Sequence, residues 1–198
     1  MAAVPSLTSP QEYLRAEREA NVRHELINGR VVAMAGATKE HVAIVANLVV
    51  ELSVGLRPQG CRPYPTDLRV RVRETDLYTY PDISVICGKG TFDEDDVDVL
   101  LDPVGIVEVL SKSTEAYDRG AKFAHYRRIP ELHTYVLVSS TSPLVDVFER
   151  QDDGAWSLVS YEGLDGTIRL GHLNVEVVMR DVYRDVDFEG DDLAPAPS

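Results

Sequence analysis

The chain has 198 residues, 44% of them hydrophobic, and a formal net charge of −13. This suits one globular domain with its own core, and the acidity argues against a protein that coats nucleic acid by bulk electrostatic attraction. Only Cys61 and Cys87 are present, outside any CxxC or Cys/His cluster, which argues against a disulfide framework and a structural zinc site. We therefore expect both thiols to be reduced. The sequence shows neither a signal-peptide pattern nor a stretch approaching a transmembrane span, so we also expect no membrane contact and a cytoplasmic location.

The first third of the chain carries helix and hairpin signals. Ser9 as N-cap, with proline at N1 and Glu12 at N3, predicts a helix to about Ala20. Two apolar runs within residues 25–34 flank Asn-Gly, which predicts a hairpin because both turn positions tolerate a positive φ. Thr38 then caps an amphipathic helix that ends before Pro58 and should pack on a sheet.

The middle of the chain alternates short apolar runs with acidic, glycine- and proline-containing loops. The predicted strands are Leu68 to Val72, Ile83 to Cys87 and Val104 to Leu110. A helix from Asp118 to Ile129, stopped by Pro130, precedes an apolar strand over Thr134 to Val138. Strand, helix and strand together predict a βαβ crossover.

The last third of the chain reads as β-rich. Residues 144–150 and 155–161 predict a second hairpin, 167–170 another strand, and 175–182 a final amphipathic segment. We expect one domain over residues 1–186 and an acidic, disordered tail over 187–198. The acidic residues of segment 93–102 are expected in a solvated loop.

Two of the predicted strands each carry one carboxylate. Asp82 opens the run Ile83 to Cys87, and Glu108 interrupts an otherwise apolar strand. A buried carboxylate is costly unless a cation, a metal or hydrogen-bond donors lie nearby. By alternation Glu108 shares a face with Ile106 and Leu110, whereas Val107 and Val109 face the other side. This pattern favours a metal site.

These acids belong to a longer succession of motifs, which follow one another in the order His24-Glu25-Leu26-Ile27-Asn28-Gly29, Ala37-Thr38-Lys39-Glu40-His41, Tyr80-Pro81-Asp82, Val107 to Thr114, Tyr117 to Lys122 and Tyr126-Arg127-Arg128. From about Ser9 to Val186 the chain resembles the Uma-type putative restriction endonuclease family, of the PD-(D/E)XK nuclease superfamily. The resemblance implies an α/β (α+β) fold with a restriction-endonuclease-like core. In it, helices flank a central mixed β-sheet, with a helix and hairpin before it and a β-rich part after it.

The resemblance also implies a chemistry and a set of residues. Asp82 and Glu108, assisted by Glu25, would bind Mg²⁺, with Mn²⁺ as a substitute, and Lys122 would position or activate the attacking water. In the strict superfamily motif the lysine lies two residues after the second acid, but that position here is Leu110. The Uma-type pattern places it on the following helix instead.

Each of these residues also has a structural interpretation. Glu108 could form a core ion pair, Asp82 could end a turn, Lys122 could pair with Asp118 on a helix surface, and Glu25 could be a solvated strand-edge acid. Three further candidates, which could equally serve capping or packing, are His41, Tyr126 and Ser111. Arginines alternate along one strand at positions 69, 71 and 73 and would follow a phosphate backbone or form a solvated face.

The sequence thus predicts a metal-dependent endonuclease that hydrolyses phosphodiester bonds of nucleic acid, with DNA favoured over RNA. A homodimer is expected, because one compact site cuts one strand of a duplex. The alternative is a catalytically inactive nuclease fold that binds nucleic acid or protein. A sugar- or ester-cleaving hydrolase also uses paired carboxylates, but no Gly-x-Ser-x-Gly elbow is present.

Overall fold

The computed structural model describes residues 7–94 and 96–188. The helices are α1 (Pro10–Glu19), α2 (Lys39–Leu56), α3 (Glu115–Tyr117), α4 (Phe123–Tyr126) and α5 (Met179–Val182). The strands are β1 (His24–Ile27), β2 (Arg30–Ala33), β3 (Cys61–Pro65), β4 (Arg69–Val72), β5 (Leu77–Thr79), β6 (Ile83–Cys87), β7 (Val99–Leu100), β8 (Gly105–Leu110), β9 (Thr134–Ser139), β10 (Leu144–Arg150), β11 (Trp156–Glu162), β12 (Thr167–Leu170) and β13 (Val175–Val178).

The strands form a five-stranded sheet of order β2-β1-β5-β4-β7, a six-stranded sheet of order β11-β10-β9-β8-β6-β3, and the pair β12-β13. In the six-stranded sheet β8 and β9 are parallel, and the remaining pairs are antiparallel. The predicted mixed sheet and its parallel crossover are therefore confirmed. Both faces of β8 are buried, which explains why its sequence is an almost unbroken apolar run.

The N-terminal elements follow the local signals in the sequence. Ser9 and Glu12 form the predicted capping box at the start of α1. The hairpin of β1 and β2 turns at Asn28 and Gly29, whose φ angles of 49° and 75° lie in the left-handed region that the Asn-Gly pair tolerates. Both predictions are confirmed, as is the second hairpin, β10 with β11.

Helix α2 begins after Thr38, as predicted, and lies against the six-stranded sheet. Its core-facing side chains are Ile44, Val45, Leu48, Leu52 and Leu56. By length and composition alone, the segment Lys39–Gln59 is long and apolar enough to cross a membrane. The expectation that no stretch approaches a membrane span is therefore wrong on those criteria, and in the structure one face of this helix packs in the core.

The predicted helix from Asp118 to Ile129 is instead a broken segment. Helix α3 passes into a π-helical turn, Asp118–Lys122, before α4 resumes α-helical geometry. A π turn accommodates an extra residue and changes the direction in which the following side chains project. The same amphipathic pattern fits either geometry, so the sequence alone favoured the commoner helix.

The expectation of two free thiols is wrong. Cys61 of β3 and Cys87 of β6 lie directly opposite each other in an antiparallel pair and are joined by a disulfide. Cys61 and Cys87 are 26 positions apart in the sequence, and they become neighbours only when β3 and β6 pair in the sheet. Strand β3 itself was not predicted, and the argument for a cytoplasmic location from free thiols no longer applies.

The acidic loop is also less solvated than expected, because Asp93 and Asp96 are buried. Asp96 accepts from Arg69 at 3.1 Å, and Arg69 also donates to the Tyr80 hydroxyl at 2.8 Å. Tyr80 in turn donates to Glu17 of α1 at 3.1 Å. We call these four residues, Glu17, Arg69, Tyr80 and Asp96, the Arg69 network. The expected acidic tail lies largely outside the described residues, which end at position 188.

Candidate active site

Glu108 lies in the middle of β8 and is 4% exposed. Its neighbours Ile106 and Leu110 belong to one apolar cluster, while Val107 and Val109 belong to another on the opposite face of the sheet. The alternation predicted from the sequence is therefore confirmed. Glu108 projects into the side of the sheet that the crossover segment covers.

The crossover segment supplies Lys122, the last residue of the π turn, which is 6% exposed. Its Nζ lies 2.9 Å from Glu108 Oε1, 3.4 Å from Glu25 Oε1 and 3.6 Å from Asp118 Oδ1. We call these four residues the Lys122 cluster. The structure thus brings together three of the predicted site residues, Glu25, Glu108 and Lys122. It adds Asp118, which the sequence suggested only as a surface partner of the lysine.

Two hydroxyl groups connect the carboxylates of the Lys122 cluster. Tyr126, fully buried on α4, donates to Glu108 Oε1 at 2.7 Å. Thr79 of β5 donates to Glu25 Oε1 and lies 3.4 Å from the Tyr126 hydroxyl. Tyr126 was a predicted candidate, whereas Thr79 was missed because nothing in its three-residue strand marks the hydroxyl as facing an acid.

Asp82, immediately before β6, reaches the same region from the neighbouring strand. The register that pairs Ile83 with Val107 sets Asp82 beside Glu108. One carboxylate oxygen of Asp82 accepts from the Val109 N–H at 2.7 Å, and the other lies 2.9 Å from His41 Nε2. His41 therefore makes a side-chain contact with a predicted site residue, while its backbone N–H serves the Thr38 cap.

Burial dominates the protonation behaviour of this region. It raises the pKa of Glu108 to about 8; the Lys122 ammonium opposes this shift, and the charges of Asp82 and Asp118 add to it. Burial likewise raises the pKa of Asp118. For Lys122, burial alone would lower the pKa, but the surrounding acids, Glu108 foremost, hold it well above its ordinary value.

The other candidates lie in more ordinary surroundings. Ser111 Oγ accepts from the Thr114 N–H and hydrogen-bonds to the hydroxyls of Ser113 and Thr114 in the turn before α3, whose N-cap is Thr114. Arg69 is buried in the Arg69 network, and Arg71 pairs with Asp76 and Asp93. These two arginines are engaged within the protein, so the predicted row of guanidinium groups along a phosphate backbone is not formed.

Oxygen ligands are those that Mg²⁺ prefers, so the donors supplied by Asp82, Glu108 and Glu25 fit that ion chemically. Within residues 7–94 and 96–188, however, no three His, Cys, Asp or Glu side chains are grouped so as to hold a metal. The Lys122 ammonium contacts the carboxylates of Glu25 and Glu108 instead. A metal held by these acids would have to displace that ammonium or bind beside it.

Comparison with known proteins adds relatives of similar length. The sequence model of the Uma2 family, described as Putative restriction endonuclease, matches residues 10–179. Uncharacterized protein slr1290 of Synechocystis sp. (strain ATCC 27184 / PCC 6803 / Kazusa) is 37% identical over 187 residues, 94% of this chain and 96% of the relative. A second uncharacterized protein of that organism, sll1609, is 28% identical over 175 residues, 88% and 99% of the two chains.

Among solved structures, the fold resembles the crystal structure of a putative nuclease belonging to DUF820 from Anabaena variabilis ATCC 29413. The TM-score is 0.71 at 19% sequence identity, covering 87% of this chain and 96% of that one. At this identity the likeness shows a shared fold. The predicted fold class, a mixed sheet flanked by helices, is confirmed.

Proposed function

We propose that this chain, which belongs to the Uma2 family of putative restriction endonucleases, is a metal-dependent endonuclease that hydrolyses phosphodiester bonds of DNA. The observation that carries the proposal is the Lys122 cluster: a buried ammonium 2.9 Å from Glu108 and 3.4 Å from Glu25, with Asp82 immediately before the adjacent strand β6. Carboxylates from neighbouring parts of a sheet supply the oxygen ligands that Mg²⁺ prefers, and a bound metal ion can assist the hydrolysis of a phosphodiester.

In this proposal Asp82 and Glu108 would hold Mg²⁺, and Glu25 would assist from the other sheet. When bound, the ion would supply Lewis acidity toward the phosphate and lower the pKa of a coordinated water. His41 and the Val109 N–H fix the Asp82 carboxylate, as hydrogen-bond partners of metal ligands commonly do. Lys122 offsets the negative charge that develops on the phosphate as the bond to water forms.

The charge balance of the cluster favours an enzyme over a binding module. Glu25, Glu108 and Asp118 share one lysine in a nearly water-free environment. Desolvating these acids costs free energy, and surface cations would serve a binding role at lower cost. A homodimer belongs to the same proposal, because two copies would present two sites to the two strands of a duplex.

The proposal is tested by titrating Mn²⁺ calorimetrically into the wild type and Glu108→Ala, with cleavage of plasmid, single-stranded DNA and RNA assayed on the same preparations. We expect binding and DNA cleavage in the wild type and loss of both in Glu108→Ala. Glu162→Ala, which removes an exposed acid on β11, is the matched control and should behave as the wild type.

Other outcomes correct the proposal at defined points. Cleavage of RNA alone would change the substrate, and a strict monomer at micromolar concentration would remove the dimer. If the folded wild type neither binds Mn²⁺ nor cuts any of the three substrates, the acids are structural and the binding-module interpretation takes its place.

A further inference from the structure

A buried hydroxyl beside the Lys122 cluster has no hydrogen-bond partner. Tyr117, the last residue of α3, is partly buried as a side chain, but its Oη is shielded from solvent and bonds to no group among the described residues. A shielded hydroxyl without a partner costs free energy, because its hydrogen bonds to water are lost and not replaced. Such a group needs an explanation.

The charges acting on this hydroxyl place it at the candidate site. Tyr117 directly precedes the π turn that carries Asp118 and Lys122. Burial raises the pKa of Tyr117 to about 12, and the nearby charges that modify it are, in order, those of Glu25, Lys122, Asp118 and Glu108. Every residue of the Lys122 cluster therefore acts on the phenol.

Other buried tyrosine hydroxyls in the described chain show what a structural role looks like. Tyr126 donates to Glu108, Tyr135 donates to the Asp118 carbonyl at 3.0 Å, and Tyr13 donates to the His24 carbonyl at 2.6 Å. Tyr183 donates to the Leu144 carbonyl at 2.8 Å and accepts from the Leu144 N–H. Each of these hydrogen bonds links two separate segments of the chain. The Tyr117 hydroxyl makes no such link within the described residues.

We propose that Tyr117 is a catalytic residue whose hydroxyl donates a hydrogen bond to a non-bridging oxygen of the phosphodiester that is cleaved. This inference rests on the proposed function and names a substrate contact within it. A phosphate oxygen would accept the hydrogen bond that the Tyr117 hydroxyl does not donate to any described group of the protein. A neutral donor also suits a site rich in carboxylates, because it stabilises added negative charge without forming another ion pair with them.

The test is Tyr117→Phe, which removes the oxygen and keeps the ring, compared with Tyr183→Phe as the matched control. For Tyr117→Phe we expect kcat to fall roughly 10²-fold, the order seen when one donor to a developing oxyanion is removed. Its resistance to urea should be unchanged or higher, because no bond within the protein is lost, and its affinity for Mn²⁺ should be unchanged. Tyr183→Phe should show the reverse, with lower resistance to urea and unchanged kcat.

Substrates with sulfur at one non-bridging position sharpen the test. Sulfur accepts hydrogen bonds weakly, so for one of the two diastereomers the penalty of Tyr117→Phe should shrink to a few-fold. Equal kcat in Tyr117→Phe and an active wild type would overturn this inference alone. A fall in kcat accompanied by lower resistance to urea would overturn it as well, because it would assign Tyr117 a structural role. An inactive wild type would overturn the proposed function, and this inference with it.

Discussion

The Arg69 network and the Lys122 cluster are both buried, but their charges are arranged on opposite principles. In the Arg69 network each acid has its own partner: Asp96 is bound by Arg69 and Arg18, and Glu17 by His24 and Tyr80. In the Lys122 cluster three acids share one ammonium, and a fourth, Asp82, lies beside them. A network with matched charges is what stability alone requires. In the proposed function, a bound metal cation balances the excess of buried acid in the Lys122 cluster.

The largest expected effect comes from breaking the matched network. Arg69→Met leaves Asp96 buried without its closest cation, and we expect the free energy of unfolding to fall by about 3–5 kcal/mol. Cleavage per folded molecule should not change. Urea denaturation measures the free energy of unfolding. A cleavage assay at urea concentrations well below the unfolding transition measures the activity per folded molecule. Arg62→Met, at an exposed position on β3, is the control. A loss below about 1 kcal/mol would show that the network is not held by its charges.

Removing one hydrogen bond from the unmatched cluster should cost less. Tyr126→Phe deletes the donor to Glu108 and should lower the free energy of unfolding by about 1–3 kcal/mol, the range for leaving a buried acceptor without its partner. Urea denaturation at pH 7, with Tyr183→Phe as a second buried tyrosine, gives the comparison. An unchanged stability would mean that Thr79 or Lys122 compensates fully.

The two networks should also differ in how they respond to pH. Burial raises the pKa of Glu108 from an ordinary value of 4.5 to about 8. A carboxyl that binds its proton more tightly in the folded state contributes its full stability below about pH 4.5 and loses it as the pH rises to about 8. The wild type should therefore lose stability relative to Glu108→Gln by up to about 1.4 kcal/mol per pH unit across this window.

Urea denaturation of both proteins at several pH values measures that difference. Arg69→Met is measured as a third protein, because its substitution lies in the other network. It should leave unchanged the part of the slope of unfolding free energy against pH that is due to Glu108. Parallel curves for the wild type and Glu108→Gln would show that Glu108 keeps an ordinary pKa in the folded protein.

The smallest effect is expected at the edge of the Arg69 network. Ser9→Ala removes the N-cap of α1, the helix that carries Glu17, and should cost about 1 kcal/mol of unfolding free energy with cleavage unchanged. Ser9→Asp keeps a capping oxygen and should lie close to the wild type. Thermal unfolding of the three proteins decides the matter. A change in cleavage would show that α1 also supports the site.

The parts of the fold that were predicted correctly depend on local chemistry. The Ser9 cap, the Asn28-Gly29 turn and the alternation around Glu108 each act within a few residues, so the sequence displays them. The parts that were missed depend on register between distant strands. The pairing of Cys61 with Cys87 is an example, since it exists only after β3 and β6 align.

The site divides in the same way. Asp82, Glu108, Glu25 and Lys122 could be named from the pattern of acids and the family resemblance, although their metal-binding and catalytic roles stay predictions. Asp118 could not, because its burial follows from the π turn, which an amphipathic pattern does not distinguish from an α-helix. The hydroxyl of Tyr117 could not either, since a missing partner becomes visible only when every neighbour has been placed.

The Lys122 cluster spans the junction between two sheets. Glu25 comes from the five-stranded sheet, Glu108 from the six-stranded sheet, and Lys122 from the crossover above the latter. A ligand held by both acids would therefore act as a clamp between the N-terminal hairpin and the larger sheet. Local opening of that hairpin would become rarer when the site is filled. Binding at the site would therefore slow the hydrogen exchange of backbone amides in β1 and β2, even though the side chains of β2 are solvent-exposed.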